Sequence, residues 1–88
     1  RIYFVKDNCN HLEMGKFYFL SQKYNEAVRE LSQALELDPN STEACYNLGL
    51  VYETKGEFNQ AKEFFNKALE IDPEHKESEE HLTKLVGG

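Results

Sequence analysis

Two short stretches of this chain nearly repeat each other: ALELDP at residues 34–39 and ALEIDP at residues 68–73, which lie 34 residues apart. Aligning residues 8–41 with residues 42–75 extends the likeness to nine identical positions. A fixed period of this length indicates a repeat architecture, in which one small structural unit is used twice. The identical pairs are Gly15/Gly49, Tyr18/Tyr52, Asn25/Asn59, Ala27/Ala61, Ala34/Ala68, Leu35/Leu69, Glu36/Glu70, Asp38/Asp72 and Pro39/Pro73.

Apolar residues within each unit recur at helical spacing. In the second unit one stripe follows i, i+3, i+4, i+7 and another follows i, i+3, i+7, i+10, and each spacing marks one face of an α-helix. Gly56 lies between the stripes and is suited to the left-handed conformation that ends a helix. Each unit is therefore predicted to be a helical hairpin. The stripes are Cys45, Leu48, Gly49 and Tyr52, followed by Phe58, Ala61, Phe65 and Ala68.

Proline closes each unit. Pro39 and Pro73 lack the N–H that a helix interior requires, and each disfavours helical geometry in the residue before it. After the first of them, Ser41 or Asn40 offers a side-chain oxygen that can cap the next helix. We therefore expect one hairpin to end and the next helix to begin at each proline.

Small residues at matching positions predict where the helices approach closely. Gly15 and Gly49 lie on the stripe of each first helix, and Ala27 and Ala61 lie on the second. A bulky residue at any of these positions would overpack the contact, at a cost of roughly 1–3 kcal/mol. Large side chains are predicted to fill the core around them: Tyr18, Tyr24, Leu31, Tyr52, Phe58 and Phe65.

This pattern of small, aromatic and proline positions at a 34-residue period resembles the tetratricopeptide repeat family, twice in tandem over residues 8–75. Residues 76–86 resemble the capping helix that often ends such arrays, with Leu82 and Val86 continuing the apolar stripe. The resemblance implies an all-α fold, an α-solenoid of helical hairpins with a C-terminal capping helix.

Three positions depart from the family pattern. His11 and Cys45 stand where the family often has a large apolar residue, and Gln22 stands where a glycine like Gly56 would be usual. These departures predict local differences in packing and turn geometry within the same fold.

The expected organisation is a single domain over residues 1–88. Residues 1–7 are an N-terminal extension or an early start of the first helix, residues 8–41 and 42–75 are the repeats, and residues 76–88 are the capping helix and tail. About three repeats are normally needed for stability, because each buries its apolar face on a neighbour. We therefore expect further repeats on the N-terminal side, self-association, or an N-terminal segment that covers the exposed face. The chain opens with Arg1, so we expect a piece of a longer protein.

Charge and composition exclude some classes of partner. The net charge is −6, and residues 42–88 carry ten acidic against five basic residues. Such a chain is poorly suited to bind a nucleic-acid backbone or an anionic lipid surface. Its apolar runs are shorter than the roughly 18 residues of a membrane span. The two cysteines do not form a disulfide framework and no leader is evident, which favours an intracellular, cytoplasmic location.

The sequence does not predict an enzyme. It contains no glycine-rich phosphate loop, no nucleophile elbow and no HExxH motif. Among the histidines and cysteines, the closest pair is Cys9 and His11. These two side chains point to different sides of a helix because they are two residues apart. We therefore expect no cofactor and no metal.

The expected function is recognition. In the family that this chain resembles, the first helix of each repeat lines a concave face that holds an extended peptide or a helix. Carried over to this sequence, those positions are Cys9, Leu12, Lys16, Phe19 and Leu20 in the first repeat, Glu43, Tyr46, Asn47, Leu50, Glu53 and Thr54 in the second, and Glu77, Glu80, His81 and Lys84 in the capping helix.

A carboxylate clamp of the kind that binds chaperone C-termini is not expected. Of its Lys, Asn and Arg positions only Asn47 matches, and Glu77 would repel a peptide carboxylate. The interpretation that we favour is a mixed groove, in which Asn47 holds ligand backbone. Its apolar anchors are Leu12, Phe19, Leu20, Tyr46 and Leu50, and its acidic wall is Glu43, Glu53, Glu77 and Glu80. Such a groove suits a protein segment with apolar anchors beside Lys or Arg.

An alternative is an assembly element. Ile2, Val5, Cys9, Leu12 and Phe19 fall near one stripe if the first helix starts early. That apolar seam would pack on further repeats or on a second copy of the chain. Residues 1–7 could equally be an extended arm that occupies a groove, or a chain end with no role.

Overall fold

The computed structural model describes the backbone of residues 3–87 and the side chains of residues 11–87. Over this range the chain forms five α-helices and no strand. They are α1 (Tyr3–Leu20), α2 (Tyr24–Leu37), α3 (Thr42–Thr54), α4 (Phe58–Ile71) and α5 (Lys76–Gly87). The predicted all-α fold is confirmed. Helix α1 begins at Tyr3, and the predicted roles of Arg1 and Ile2 lie outside the described residues.

The helices stack in chain order. Helix α1 pairs with α2 and α3 pairs with α4, each as an antiparallel hairpin, while α2 packs on α3 and α4 packs on α5. The result is an elongated body of 48 × 27 × 17 Å. Because each hairpin buries its inner face mainly on its neighbours in sequence, the architecture is an α-solenoid.

The two helix glycines let large side chains from the paired helix come close. A Cβ atom on Gly15 would lie 2.5 Å from Leu31 Cγ, and one on Gly49 would lie 2.6 Å from Phe65 Cε1. Leu31 and Phe65 are fully buried, so neither can move aside easily. The predicted close approach occurs at the same place in both hairpins.

The predicted core is correct for most of its members and wrong for one. Ala27, Ala61, Leu31 and Phe65 are fully buried, and the tyrosines predicted with them are half-buried. Phe58 is 51% exposed. Tyr24 begins α2 as Phe58 begins α4, but Tyr24 packs on the ring of Phe19 at a centroid distance of 6.0 Å, whereas the residue that matches Phe19 in the second hairpin is Glu53.

Both hairpin turns end the first helix in the same way. The N–H groups of Gln22 and Lys23 donate to the carbonyls of Phe19 (3.0 Å) and Tyr18 (2.8 Å). The second turn repeats both bonds, from Gly56 to Glu53 (3.0 Å) and from Glu57 to Tyr52 (2.9 Å). This is the Schellman arrangement, whose central residue takes the left-handed conformation.

The breaks between hairpins also match. The Asp38 carboxylate accepts from the Asn40 N–H at 3.2 Å, and Asp72 accepts from the Glu74 N–H at 3.1 Å. Ser41 then caps α3, because its Oγ accepts from the Ala44 N–H at 3.1 Å. Of the two caps predicted there, Ser41 supplies the oxygen and Asn40 belongs to the preceding turn.

Candidate functional site

The predicted groove residues lie on three helices. Leu12, Lys16, Phe19 and Leu20 are on α1; Glu43, Tyr46, Asn47, Leu50, Glu53 and Thr54 are on α3; Glu77, Glu80, His81 and Lys84 are on α5. The side chain of Cys9 lies outside the described side chains. Among these residues, Tyr46 and Glu53 of α3 contact His81 of α5, and Glu43 of α3 pairs with Lys16 of α1.

Tyr46 lies at the contact between α3 and α5. Its ring packs at a steep angle to the rings of His75 and His81, with centroid distances of 5.1 Å and 5.8 Å, and its centroid lies 5.9 Å from that of Phe65. His81 also stacks on Phe65 at 5.2 Å. The ring is half-buried, so one part of it supports α5 and another part faces solvent.

Glutamates surround this tyrosine. Burial raises the pKa of the Tyr46 hydroxyl, and the negative charges of Glu77, Glu53 and Glu80 raise it further. Glu53 is held in place, because its Oε1 lies 2.9 Å from His81 Nδ1. Acidic charge from α3 and α5 is therefore gathered beside one aromatic ring.

The fourth predicted wall residue has a different environment. Glu43 pairs with Lys16 at 2.8 Å, which links α3 to α1, and Glu13 lies 3.9 Å from the same ammonium group. The hydrogen bond to Glu43 raises the pKa of Lys16, with a smaller opposing effect of burial. Because Lys16 compensates Glu43, the acidic character of the groove is concentrated towards α5.

Several other predicted residues are already engaged within the chain. Asn47 is only 8% exposed, and its Nδ2 donates to the Glu43 carbonyl at 2.8 Å in the same helix. Leu12 and Phe19 pack against the hydrophobic core, whereas Leu20 is 80% exposed. The apolar anchors thus differ in how much surface they offer to a ligand.

Sequence reasoning missed two neighbours of Tyr46. Phe65 was assigned to the core alone, and His75 was given no structural role. His75 occupies the position of Ser41 when residues 42–75 are aligned with residues 8–41. That correspondence was the signal that His75 could cap the following helix, as described below.

Two further features of the described residues bear on other kinds of site. Within them, no group of three or more His, Cys, Asp or Glu side chains could hold a metal ion. A shallow recess on α5 is lined by Leu82, Thr83, Val86 and Gly87, none of which is a predicted groove residue. None of the helices described over residues 3–87 has the length and apolarity needed to cross a membrane.

Comparison with known proteins identifies the family. Residues 15–56 match the family described as TPR repeat, and residues 42–75 match the one described as tetratricopeptide repeat. The chain belongs to the tetratricopeptide repeat family. The resemblance inferred from Gly15, Gly49 and the closing prolines is therefore confirmed.

A solved structure is similar to this tetratricopeptide repeat domain over most of its length. It is titled crystal structure of MamA, with a TM-score of 0.86 and 27% sequence identity over 89% of this chain. The match covers 46% of the MamA chain, so this chain spans about half the length of that protein. No curated protein sequence matches significantly. Family and fold together support a protein–protein interaction module in general.

Proposed function

We propose that this tetratricopeptide repeat domain is a non-catalytic adaptor whose concave groove binds a peptide or helix of a partner protein. The bound segment carries apolar anchor residues with Lys or Arg beside them. The observation that carries the proposal is the gathering of Glu53, Glu77 and Glu80 around the half-buried ring of Tyr46.

The charge distribution supports a basic ligand. Glu77 has 63% of its side chain exposed, and Glu80 is also exposed. A cationic side chain placed over Tyr46 would be attracted both by the ring face and by these carboxylates. Rim charges of this kind chiefly set the association rate and its dependence on salt.

The apolar surface supports anchor residues. Leu20 is largely exposed, and Tyr46 and Leu50 are half-buried on the helices that line the groove. Burying such side chains under a ligand supplies most of the affinity in groove binding. Leu12 and Phe19 are partly buried and pack against the hydrophobic core, so they offer less surface to a ligand.

Selection of binding peptides from a proteome-derived library tests the proposal. The wild type is compared with Glu77→Lys/Glu80→Lys, and with Glu63→Lys/Glu70→Lys as a control of equal charge change on exposed positions of α4. We expect the wild type and the control to enrich peptides with apolar anchors and adjacent Lys or Arg, and the α5 variant to lose them. Equal enrichment by all three folded proteins would contradict the proposal.

A second candidate function, assembly with another helical unit, rests on a difference between the repeats. Phe17 on α1 is 57% exposed, whereas Val51 at the same position of α3 is fully buried within the core that joins α2 to α3. The face of α1 that carries Phe17 would thus accept a helix that packs as α2 packs on α3.

Sedimentation of the wild type, of Phe17→Glu and of the similarly exposed control Phe58→Glu tests the assembly proposal. Assembly predicts a concentration-dependent dimer that only Phe17→Glu dissociates, and a wild type that is monomeric at high concentration contradicts it.

A further inference from the structure

The first turns of α3 and α5 are capped by different chemical groups in the same geometry. Ser41 Oγ accepts from the Ala44 N–H at 3.1 Å, and His75 Nδ1 accepts from the Ser78 N–H at 3.3 Å. The first helical bonds also match, since the N–H groups of Cys45 and Glu79 each lie 3.2 Å from the carbonyl of the capping residue. His75 is therefore the N-cap of α5, as Ser41 is of α3.

The two caps respond differently to a proton. A serine hydroxyl keeps an acceptor lone pair at any ordinary pH, whereas an imidazole nitrogen accepts only while it carries no proton. The Ser78 hydroxyl lies 2.8 Å from the same Nδ1, and Ser78 is fully buried. If Nδ1 became protonated, it would donate to the Ser78 hydroxyl, and the Ser78 N–H would lose its acceptor where water cannot readily replace it.

We propose that protonation of His75 releases the first turn of α5, which makes the docking of this helix dependent on pH. Histidine is the side chain that ordinarily changes charge between about pH 8 and 5. A positive charge at the N-terminus of α5 would also oppose the helix dipole. Helix α3, capped by Ser41, lacks this sensitivity and serves as an internal control.

Charged and titratable side chains lie near His75 on α5 and on α3. On its own helix, Glu77 Oε1 lies 3.7 Å from His75 Nε2, and 63% of the Glu77 side chain is exposed. From α3, the Tyr46 ring lies 5.1 Å from the His75 imidazole, centroid to centroid. Further along α5, His81 pairs with Glu53 of α3.

Protonation of His75 would also affect the acidic wall of the groove. Glu77 lies in the first turn of α5, so its placement near Tyr46 depends on the His75 cap. The proton-dependent cap is a property of the folded chain itself. It can therefore be tested without a ligand, and its failure would leave the proposed peptide binding open.

Amide hydrogen exchange measured by NMR between pH 8 and pH 5, corrected for the intrinsic exchange rate, tests the proposal. In the wild type the protection of the Ser78 amide should fall about fivefold or more on acidification, as expected for loss of an N-cap. The Ala44 amide should keep its protection. In His75→Ser and His75→Asn, whose caps do not titrate in this range, Ser78 should keep its protection too.

His81→Asn places at this position the residue that α3 has at Asn47, and it separates the two histidines. This variant should retain the pH dependence at Ser78. The proposal is overturned if Ser78 protection in the wild type does not change with pH. It is also overturned if the change persists undiminished in both His75 variants, or if it disappears in His81→Asn alone.

Discussion

Gln22 and Gly56 take the same left-handed backbone conformation at the same position of the two hairpin turns, with φ angles of 65° and 82°. Glycine adopts this region without steric cost, whereas other L-residues do so at a cost of roughly 1–2 kcal/mol. The hydrogen bonds of both turns are nonetheless the same. The repeat geometry therefore imposes the turn on Gln22, and the first turn is strained where the second is relaxed.

Replacing Gln22 with glycine should stabilise the domain. The substitution removes the left-handed strain, while the greater freedom of glycine in the unfolded chain offsets part of the gain. We expect a net increase of about 0.5–1 kcal/mol in the free energy of unfolding. Urea denaturation measures it as a higher midpoint at unchanged slope. The reciprocal control, Gly56→Gln, should lower the midpoint, and a shift of both variants in the same direction would contradict the explanation.

Replacing Gly49 with alanine should destabilise the domain even though alanine is the better helix former. The new Cβ would lie 2.6 Å from the buried ring of Phe65. Overpacking of this kind costs roughly 1–3 kcal/mol, which exceeds the propensity gain of about 1 kcal/mol. Gly87→Ala is the matched control, because no atom lies within 4 Å of a Cβ at that position. A Gly49→Ala variant as stable as Gly87→Ala would show that the helix contact is looser than described.

The thiol of Cys45 should react slowly in the native state. Burial raises its pKa, with a smaller opposing effect of the Lys67 charge, so the reactive thiolate is scarce at neutral pH. In a Cys9→Ser background, labelling by a thiol reagent at pH 8 should be far slower in buffer than in denaturing urea. Similar rates in both conditions would mean that the core between α3 and α4 opens readily.

The raised pKa of Tyr46 should make the domain less stable in alkali. The folded chain holds this proton to a higher pH than the unfolded chain, so the unfolded state binds fewer protons above the ordinary tyrosine value of 10.0. The free energy of unfolding should then fall as the pH rises through that value and on through the folded pKa. NMR titration of labelled tyrosines, assigned with Tyr46→Phe, gives the pKa directly. In Glu77→Gln/Glu80→Gln it should move down, and an unchanged value would exclude these carboxylates as its cause.

Repetition made much of the fold predictable from sequence. The matching glycines and prolines predict the hairpins and their boundaries. The difference in turn geometry predicted at Gln22 is wrong, because both turns share the same hydrogen bonds and the same left-handed conformation. The exposure of Phe58 was not predictable from its stripe, because helical spacing gives the face of a residue and not the side chain that covers it: Phe19 covers Tyr24 in the first hairpin, and Glu53 stands at the matching position in the second. The pairing of Lys16 with Glu43 depends on the register between α1 and α3, which periodicity leaves undetermined.

The sequence predicted which positions line the candidate groove, but not the contacts that those side chains make. The family resemblance places Asn47 and Leu12 on the concave side, yet Asn47 bonds to its own helix and Leu12 packs on the core. The grouping of His75 and His81 around Tyr46 arises from the packing of α5 on α4 and its contact with α3. Such contacts between units are set by three-dimensional packing and leave little periodic signal.

The most direct test of the groove is to map a selected peptide onto the domain by NMR. Backbone amide shifts are followed while a peptide from the library selection is added to the wild type. Binding in the groove predicts that the largest changes fall on α1, α3 and α5 around Leu20, Tyr46, Leu50 and Glu80, with little change on the exposed face of α4 at Glu63 and Glu70. Changes centred on α4, or on the face of α1 that carries Phe17, would contradict the proposed site.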